Sequence, residues 1–240
     1  MYKNYKIRAP YFEVGPKCIM WGERMLKLCK KIDEIAYKYD LDVIVTPQYA
    51  DIRLIAENTK YLHVYAQHMD SLRPGRGLGS VLPESIKEAG AVGVMLNHAE
   101  KKLTLDEVKA TIERADEIGL ATIVCADTVE EIKSIAALGP NLIVAEPTEL
   151  IGTGVASDMG YVKATIEAVK AINPDIMVLQ GAGISGPEDV ANVIRAGALA
   201  TGCTSGILKA ADPEAAAEEM LWALRKTWMR YTDNGCKYLS

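Results

Sequence analysis

Glu146 ends the apolar run Leu142-Ile143-Val144-Ala145, where a carboxylate is poorly solvated once a loop covers it. Desolvation raises the basicity of a carboxylate and suits a general base; a rim carboxylate paired with a lysine is the plainer alternative. His98 closes another apolar run, with Asn97 before it and Glu100 after. A neutral imidazole there polarises a carbonyl or carries a proton between oxygens, or else bonds a nearby backbone group. His68 is as well placed by position, whereas His63 lies inside an apolar run as a structural residue. His68, His98 and Glu146 share no ligand-type spacing, so no metal is expected.

Two glycine-bearing segments, Gly181-Ala182-Gly183-Ile184-Ser185-Gly186 and Thr204-Ser205-Gly206, can present backbone N–H groups to a phosphate; the alternative is tight turns that need positive φ. Residues 147–157 form a long connection that opens on Pro147 and carries Gly152 and Gly154. Such a loop closes over a ligand or is an Ω-type surface loop.

Elements must bring these groups together. Short runs rich in Val, Ile and Ala recur at 11–15, 42–46, 63–67, 91–97, 121–126, 141–146, 176–181 and 198–203, as buried parallel strands do. Amphipathic segments lie between them. Residues 104–119 open on Thr104-Leu105-Asp106-Glu107 and stop at Gly119; 158–172, 187–196 and 211–231 have the same helical character. Such alternation over residues 1–240 predicts a single-domain (β/α)8 TIM barrel. A doubly wound open sheet is the alternative, but no G-x-G-x-x-G follows the first run.

In a barrel, chemistry sits where the strands end. The closing residues in order are Lys17, Pro47-Gln48, Gln67-His68, Asn97-His98, Asp127, Glu146, Gly181 to Ser185 and Thr204 to Gly206. The last two groups fall where barrels bind phosphate.

Charge narrows the partners. With 27 basic and 32 acidic residues the formal net charge is −5, and no basic block marks a nucleic-acid surface. Lys27, Lys30 and Lys31 lie beside Asp33 and Glu34 as a solvated helix face. Hydrophobic residues at 49% and charged residues at 25% exclude a disordered or fibrous chain. Cys18, Cys29, Cys125, Cys203 and Cys236 form no C-x-x-C pair, which points to a reducing compartment rather than a disulfide framework or zinc site. No apolar run approaches the ~20 residues of a membrane span, and residues 1–8 lack a signal-peptide core. A cytoplasmic protein is expected.

Several stretches together resemble the triosephosphate isomerase family, in its compact archaeal-type form. They are Ala66-Gln67-His68, Gly90-Ala91-Val92-Gly93, Leu96-Asn97-His98-Ala99-Glu100, Val124-Cys125-Ala126, Ala145-Glu146-Pro147-Thr148-Glu149-Leu150-Ile151-Gly152-Thr153-Gly154 and Gly181-Ala182-Gly183-Ile184-Ser185, with the loop after the eighth run. The resemblance covers roughly residues 40 to 210. It implies cofactor-free aldose–ketose isomerisation of a small sugar phosphate through an enediol(ate). Glu146 would be the base, His98 and Lys17 the electrophiles, and Glu100 a support near the lysine. Gly152, Gly183, Ser185, Ser205 and Gly206 would hold the phosphate. It also implies a homodimer or homotetramer, with the loop 69–80 inserted into a neighbour.

The departures are specific. The family ends strand one with Asn-x-Lys, and here Gly15-Pro16-Lys17 keeps the lysine without the asparagine. Leu78 stands where the family's strand-three loop has a threonine that reaches that asparagine, and Ala99 replaces a serine. Losing both ends of one hydrogen bond leaves no partner unsatisfied, so this corner reads as rebuilt. The removed volume suggests a substrate larger than a triose, such as a tetrulose phosphate. Rival readings are a true triosephosphate isomerase, a non-catalytic binder of phosphorylated ligands, and a lyase or aldolase, for which Lys209 is poorly placed as a Schiff-base lysine. At the far end, Trp222, Trp228 and Tyr231 suggest a final helix packing its apolar face, or a subunit contact.

Overall fold

The computed structural model describes residues 1–153 and 157–233. The short apolar runs become eight strands: β1 (Tyr11–Val14), β2 (Asp42–Val45), β3 (Leu62–Ala66), β4 (Gly93–Leu96), β5 (Ala121–Ala126), β6 (Leu142–Ala145), β7 (Met177–Gln180) and β8 (Ala200–Cys203). Each pairs in parallel with its sequence neighbour, and β8 pairs with β1, so the sheet closes as the (β/α)8 barrel expected. The helices are α1 (Gly22–Tyr39), α2 (Ile52–Ala56), α3 (Pro83–Glu88), α4 (Leu105–Ile118), α5 (Val129–Ala137), α6 (Met159–Ile172), α7 (Pro187–Arg195), α8 (Ser205–Leu208) and α9 (Pro213–Asp233).

Side chains alternate along each strand, which divides the core in two. Phe12 and Val14 of β1 join the large layer between barrel and helices. Tyr11 points the other way, into an inner cluster with Ile44, Tyr65, Ile123, Leu142, Val144 and Leu179. Tyr65 fits because β4 offers Gly93 beside it; a Cβ there would stand 2.4 Å from the Tyr65 ring. Large against small is how a barrel interior reaches crystal-like density. Tyr5 closes the end away from the strand C-termini, packed edge-on against His63 and Tyr65, and its hydroxyl lies 3.0 Å from His63 Nδ1.

The helix boundaries follow local chemistry. Thr104 and Glu107 form a reciprocal capping box on α4, and Gly119 ends that helix at φ 79°. Asp158 caps α6 through the Gly160 and Tyr161 N–H groups. The fourth strand stops at Leu96 because Asn97 turns the chain at φ 58°, a conformation asparagine tolerates. Of the connection at 147–157, residues 154–156 lie outside the described residues, as do 234–240 of the C-terminal stretch. No described helix is long and apolar enough to cross a membrane.

Candidate active site

At the C-terminal ends of the strands lies a cavity of about 570 Å³. Of the strand-closing residues, Lys17, Gln67, His68, His98, Glu146, Gly181 to Ile184, Thr204 and Ser205 line it. Gly152 reaches it from the loop after β6.

Lys17 sits where β1 has just ended, at φ 48°, in the left-handed region that a non-glycine residue adopts at a cost of roughly 1 kcal/mol or more. Two amides hold it there. Gln48 Nε2 and Gln67 Nε2 donate to the Lys17 carbonyl at 2.6 and 3.0 Å, and Gln67 Nε2 also donates to the Thr46 carbonyl at 2.9 Å. The ammonium reaches across the mouth to Glu100 Oε1 at 2.7 Å, and this partner holds the Glu100 carboxyl below its usual range.

His98 is placed by Asn97, whose amide donates to the Cys125 carbonyl and to Glu131 and whose oxygen accepts from the Leu103 N–H. The Glu100 N–H donates to His98 Nδ1 at 3.1 Å. An accepting Nδ1 carries no proton, so the neutral ring bears its hydrogen on Nε2. Burial, helped by the charge of Lys17, pushes the His98 pKa below its usual 6.5. Its Nε2 points toward Glu146 Oε2, 3.8 Å away.

Glu146 is mostly buried, and the Ala182 N–H donates to its Oε1 at 3.2 Å. Gly181 makes room for it, since a Cβ at that position would lie 3.1 Å from both Glu146 Cβ and Cδ. The Glu146 carboxylate and the His98 Nε2–H therefore face one space from the ends of β6 and β4, with β5 between them. An acid–base pair so arranged can take a proton from carbon while polarising the oxygen next to it.

The glycine loops differ from one another. Gly183 adopts φ 76° on the cavity wall. Ser185 does not line the cavity: its N–H and Oγ–H both donate to Asp189 Oδ2, at 2.9 and 2.7 Å. Ser205 opens α8 at the wall, where a first helical turn leaves N–H groups unpaired by its own backbone. Gly206 lies just behind; a Cβ there would stand 2.8 Å from the Ser185 carbonyl oxygen. Lys209, beyond α8, brings an exposed ammonium to the rim.

Other sequence candidates do structural work. Asp127 stays off the cavity and accepts from the Thr148 N–H at 3.2 Å, anchoring the start of the loop after β6. His68 lines the cavity and pairs with Asp70 at 3.4 Å. Among the described residues, no His, Cys, Asp or Glu cluster is arranged to hold a metal ion. The four described cysteines are free thiols.

Among the cavity residues that the sequence did not single out is a buried carboxylate. Glu13 shares the inward face of β1 with Tyr11, is 8% exposed and lines the floor of the cavity. Thr46 Oγ1 donates to its Oε1 at 2.9 Å. Burial, and the nearness of Glu146, push the Glu13 pKa up to about 7 against the pull of Thr46 and Lys17. The room gained at Gly15 is not empty, because a Cβ there would lie 2.9 Å from Glu13 Oε1.

Fold and site together define a (β/α)8 barrel with a carboxylate and an imidazole facing one space, a clamped lysine and two glycine-bearing loops at one mouth. Residues 17–217 match the family model described as triosephosphate isomerase. Proteins called triosephosphate isomerase are similar over most of the chain. Those of Methanocaldococcus jannaschii and Methanothermus fervidus are each 40% identical over 203 residues, covering 83% of this chain and 92% and 91% of theirs. That of Sulfolobus acidocaldarius is 38% identical over 203 residues, covering 84% of this chain and 88% of its own. The chain belongs to the triosephosphate isomerase family. The family match begins at Lys17, so Glu13 and Gly15 lie before it.

Proposed function

We propose that this barrel interconverts the aldose and ketose forms of a small sugar phosphate by proton transfer alone. The observation that carries the reading is the pairing of His98 and Glu146: an imidazole whose Nδ1 accepts from the Glu100 N–H turns its Nε2–H toward a buried carboxylate. Glu146 takes the proton from the carbon beside the carbonyl, and the C–H electrons move to form the enediol(ate). His98 Nε2–H and the Lys17 ammonium hydrogen-bond the oxygens on which charge grows. Preorganised donors of this kind lower a barrier by about 3 kcal/mol each. As the protonated Glu146 returns its proton to the neighbouring carbon, His98 carries the hydroxyl proton from one oxygen to the other, so the atoms balance without an electron acceptor.

The phosphate is held by Gly152, Gly183 and Ser205, with Gly206 behind the wall and the Lys209 charge at the rim. Ser185 joins once its bond to Asp189 opens. Closure of the loop that bears Gly152 keeps water from the intermediate. The narrower reading, interconversion of the two triose phosphates, is favoured by the names of the archaeal relatives.

The protein works as a single-domain homodimer or homotetramer in the cytoplasm. Leu78, fully exposed at the tip of the loop after β3, supports contact between copies, and the free thiols suit a reducing compartment.

The test follows glyceraldehyde 3-phosphate, erythrose 4-phosphate and threose 4-phosphate by NMR with the purified protein. Conversion of at least one to its ketose is the expected result. A folded protein that binds phosphorylated sugars and converts none of them overturns the proposal.

A further inference from the structure

The floor of the cavity carries a group that the proton transfers above do not use. Glu13 enters the barrel interior between two glycines. A Cβ at Gly15 would stand 2.9 Å from Glu13 Oε1, and one at Gly202 would stand 2.9 Å from the Glu13 carbonyl oxygen and 3.0 Å from Oε2. Neither neighbour could be alanine without displacing something. The slot is thus shaped around a carboxyl group.

Only half of that group is satisfied. Oε1 accepts from Thr46, while Oε2 has no hydrogen-bond partner among the described residues. An unpaired carboxyl oxygen on a cavity wall is open to a hydrogen bond from a bound ligand, and a ligand that fills the cavity without supplying that bond leaves it desolvated at a cost. Lys17, His98 and Glu146 border the same cavity, so whatever molecule they act on also faces Glu13.

We propose that Glu13 is a specificity-determining residue, its Oε2 receiving a hydroxyl of a substrate chain one carbon longer than a triose, so that the protein prefers a four-carbon sugar phosphate. This inference rests on the isomerase reading and deepens it. A hydroxyl is the matching group because it can donate to an ionised carboxyl and accept from a protonated one. A triose phosphate has one fewer hydroxyl-bearing carbon with which to meet the floor while its carbonyl lies between His98 and Glu146.

The experiment measures kcat/KM of parent and Glu13→Ala on glyceraldehyde 3-phosphate, erythrose 4-phosphate and threose 4-phosphate. The readout is the ratio of the better tetrose to the triose, which is independent of the folded fraction of a preparation. The expected result is a parent ratio above one that falls tenfold or more in Glu13→Ala, the size of a lost hydrogen bond to a charged group. Should Glu13→Ala fail to fold, Glu13→Gln keeps the shape and the Thr46 bond. Assayed above about pH 8, where Glu13 is ionised, it replaces the accepting Oε2 with a donating nitrogen, and its ratio also falls. A parent that prefers the triose, or a ratio unchanged in the variant that folds, overturns the role of Glu13. A parent inactive on all three sugars overturns the isomerase reading instead.

Discussion

His98 Nε2 lies 3.8 Å from Glu146 Oε2, beyond hydrogen-bond reach, so neither group satisfies the other and both remain free for a ligand between them. The bond from the Glu100 N–H to Nδ1 fixes which nitrogen carries the hydrogen. Nitrogen-15 NMR at neutral pH should therefore find His98 as the neutral Nε2–H tautomer, titrating below 6.5. An imidazolium at pH 7 would contradict the assignment. Replacement by His98→Gln should lower kcat by about a hundredfold or more, with a smaller change in KM.

Lys17 depends on its neighbours in two separable ways. Its carbonyl is clamped by Gln48 and Gln67, and its ammonium rests on Glu100. Glu100 is 62% exposed, and an ion pair so placed contributes about 0–1 kcal/mol. Thermal unfolding should hardly distinguish Glu100→Gln from the parent. Gln67→Ala should lower both the melting temperature and kcat/KM, because it leaves the Lys17 and Thr46 carbonyls short of a donor and frees a strained turn. If Gln67→Ala kept parental kcat/KM, the clamp would have no role in placing the lysine.

The barrel was legible from the sequence because strands buried on both faces read as unbroken apolar runs, and eight of them alternate with helical patterns. Lys17, His98 and Glu146 were legible because each stands where a run stops, and strand ends converge at one mouth. Glu13 was not. It sits inside a run, and the runs do not say which alternate residue faces the barrel axis; that follows from the register that pairs Glu13 with Ile44 and Gly202. A charged residue within a strand buried on both faces, two positions before a glycine, was the available signal. The clamp of Gln48 and Gln67 was equally hidden, since it joins the ends of three strands. The local engagement of Ser185 was hidden as well: Asp189, four residues on, accepts from both its N–H and its hydroxyl.

Glu13 also makes a stability prediction. Its folded pKa of about 7 lies above its usual 4.5, so the folded state holds a proton that the unfolded chain has released. The stability associated with that proton is fully present below pH 4.5 and is lost as pH rises through about 7. Relative to the parent, Glu13→Gln should gain roughly 3 kcal/mol of stability between about pH 4 and about pH 8. Urea unfolding across that range measures it, and a constant difference between the two proteins would refute the assignment.

Gly206 tests the phosphate side. A methyl group there meets the Ser185 carbonyl oxygen and Cys203 Sγ, both at 2.8 Å, and a backbone oxygen cannot swing aside. Gly206→Ala should lose about 1–3 kcal/mol of stability through overpacking. It should also weaken the stabilisation that inorganic phosphate gives in thermal unfolding. Parental stability together with parental phosphate response would show that the turn after β8 does not shape the anion site.

Hydrogen exchange at carbon tests Glu146 as the base without requiring net turnover. The protein is incubated in D₂O with each of the three aldose phosphates, and deuterium entering the carbon beside the carbonyl is followed by NMR, for the parent and for Glu146→Gln. Exchange with at least one sugar phosphate is the expected result, falling by about a thousandfold or more when Glu146 is replaced. Exchange that persists at the parental rate in Glu146→Gln would show that another group takes the proton and that Glu146 is not the base.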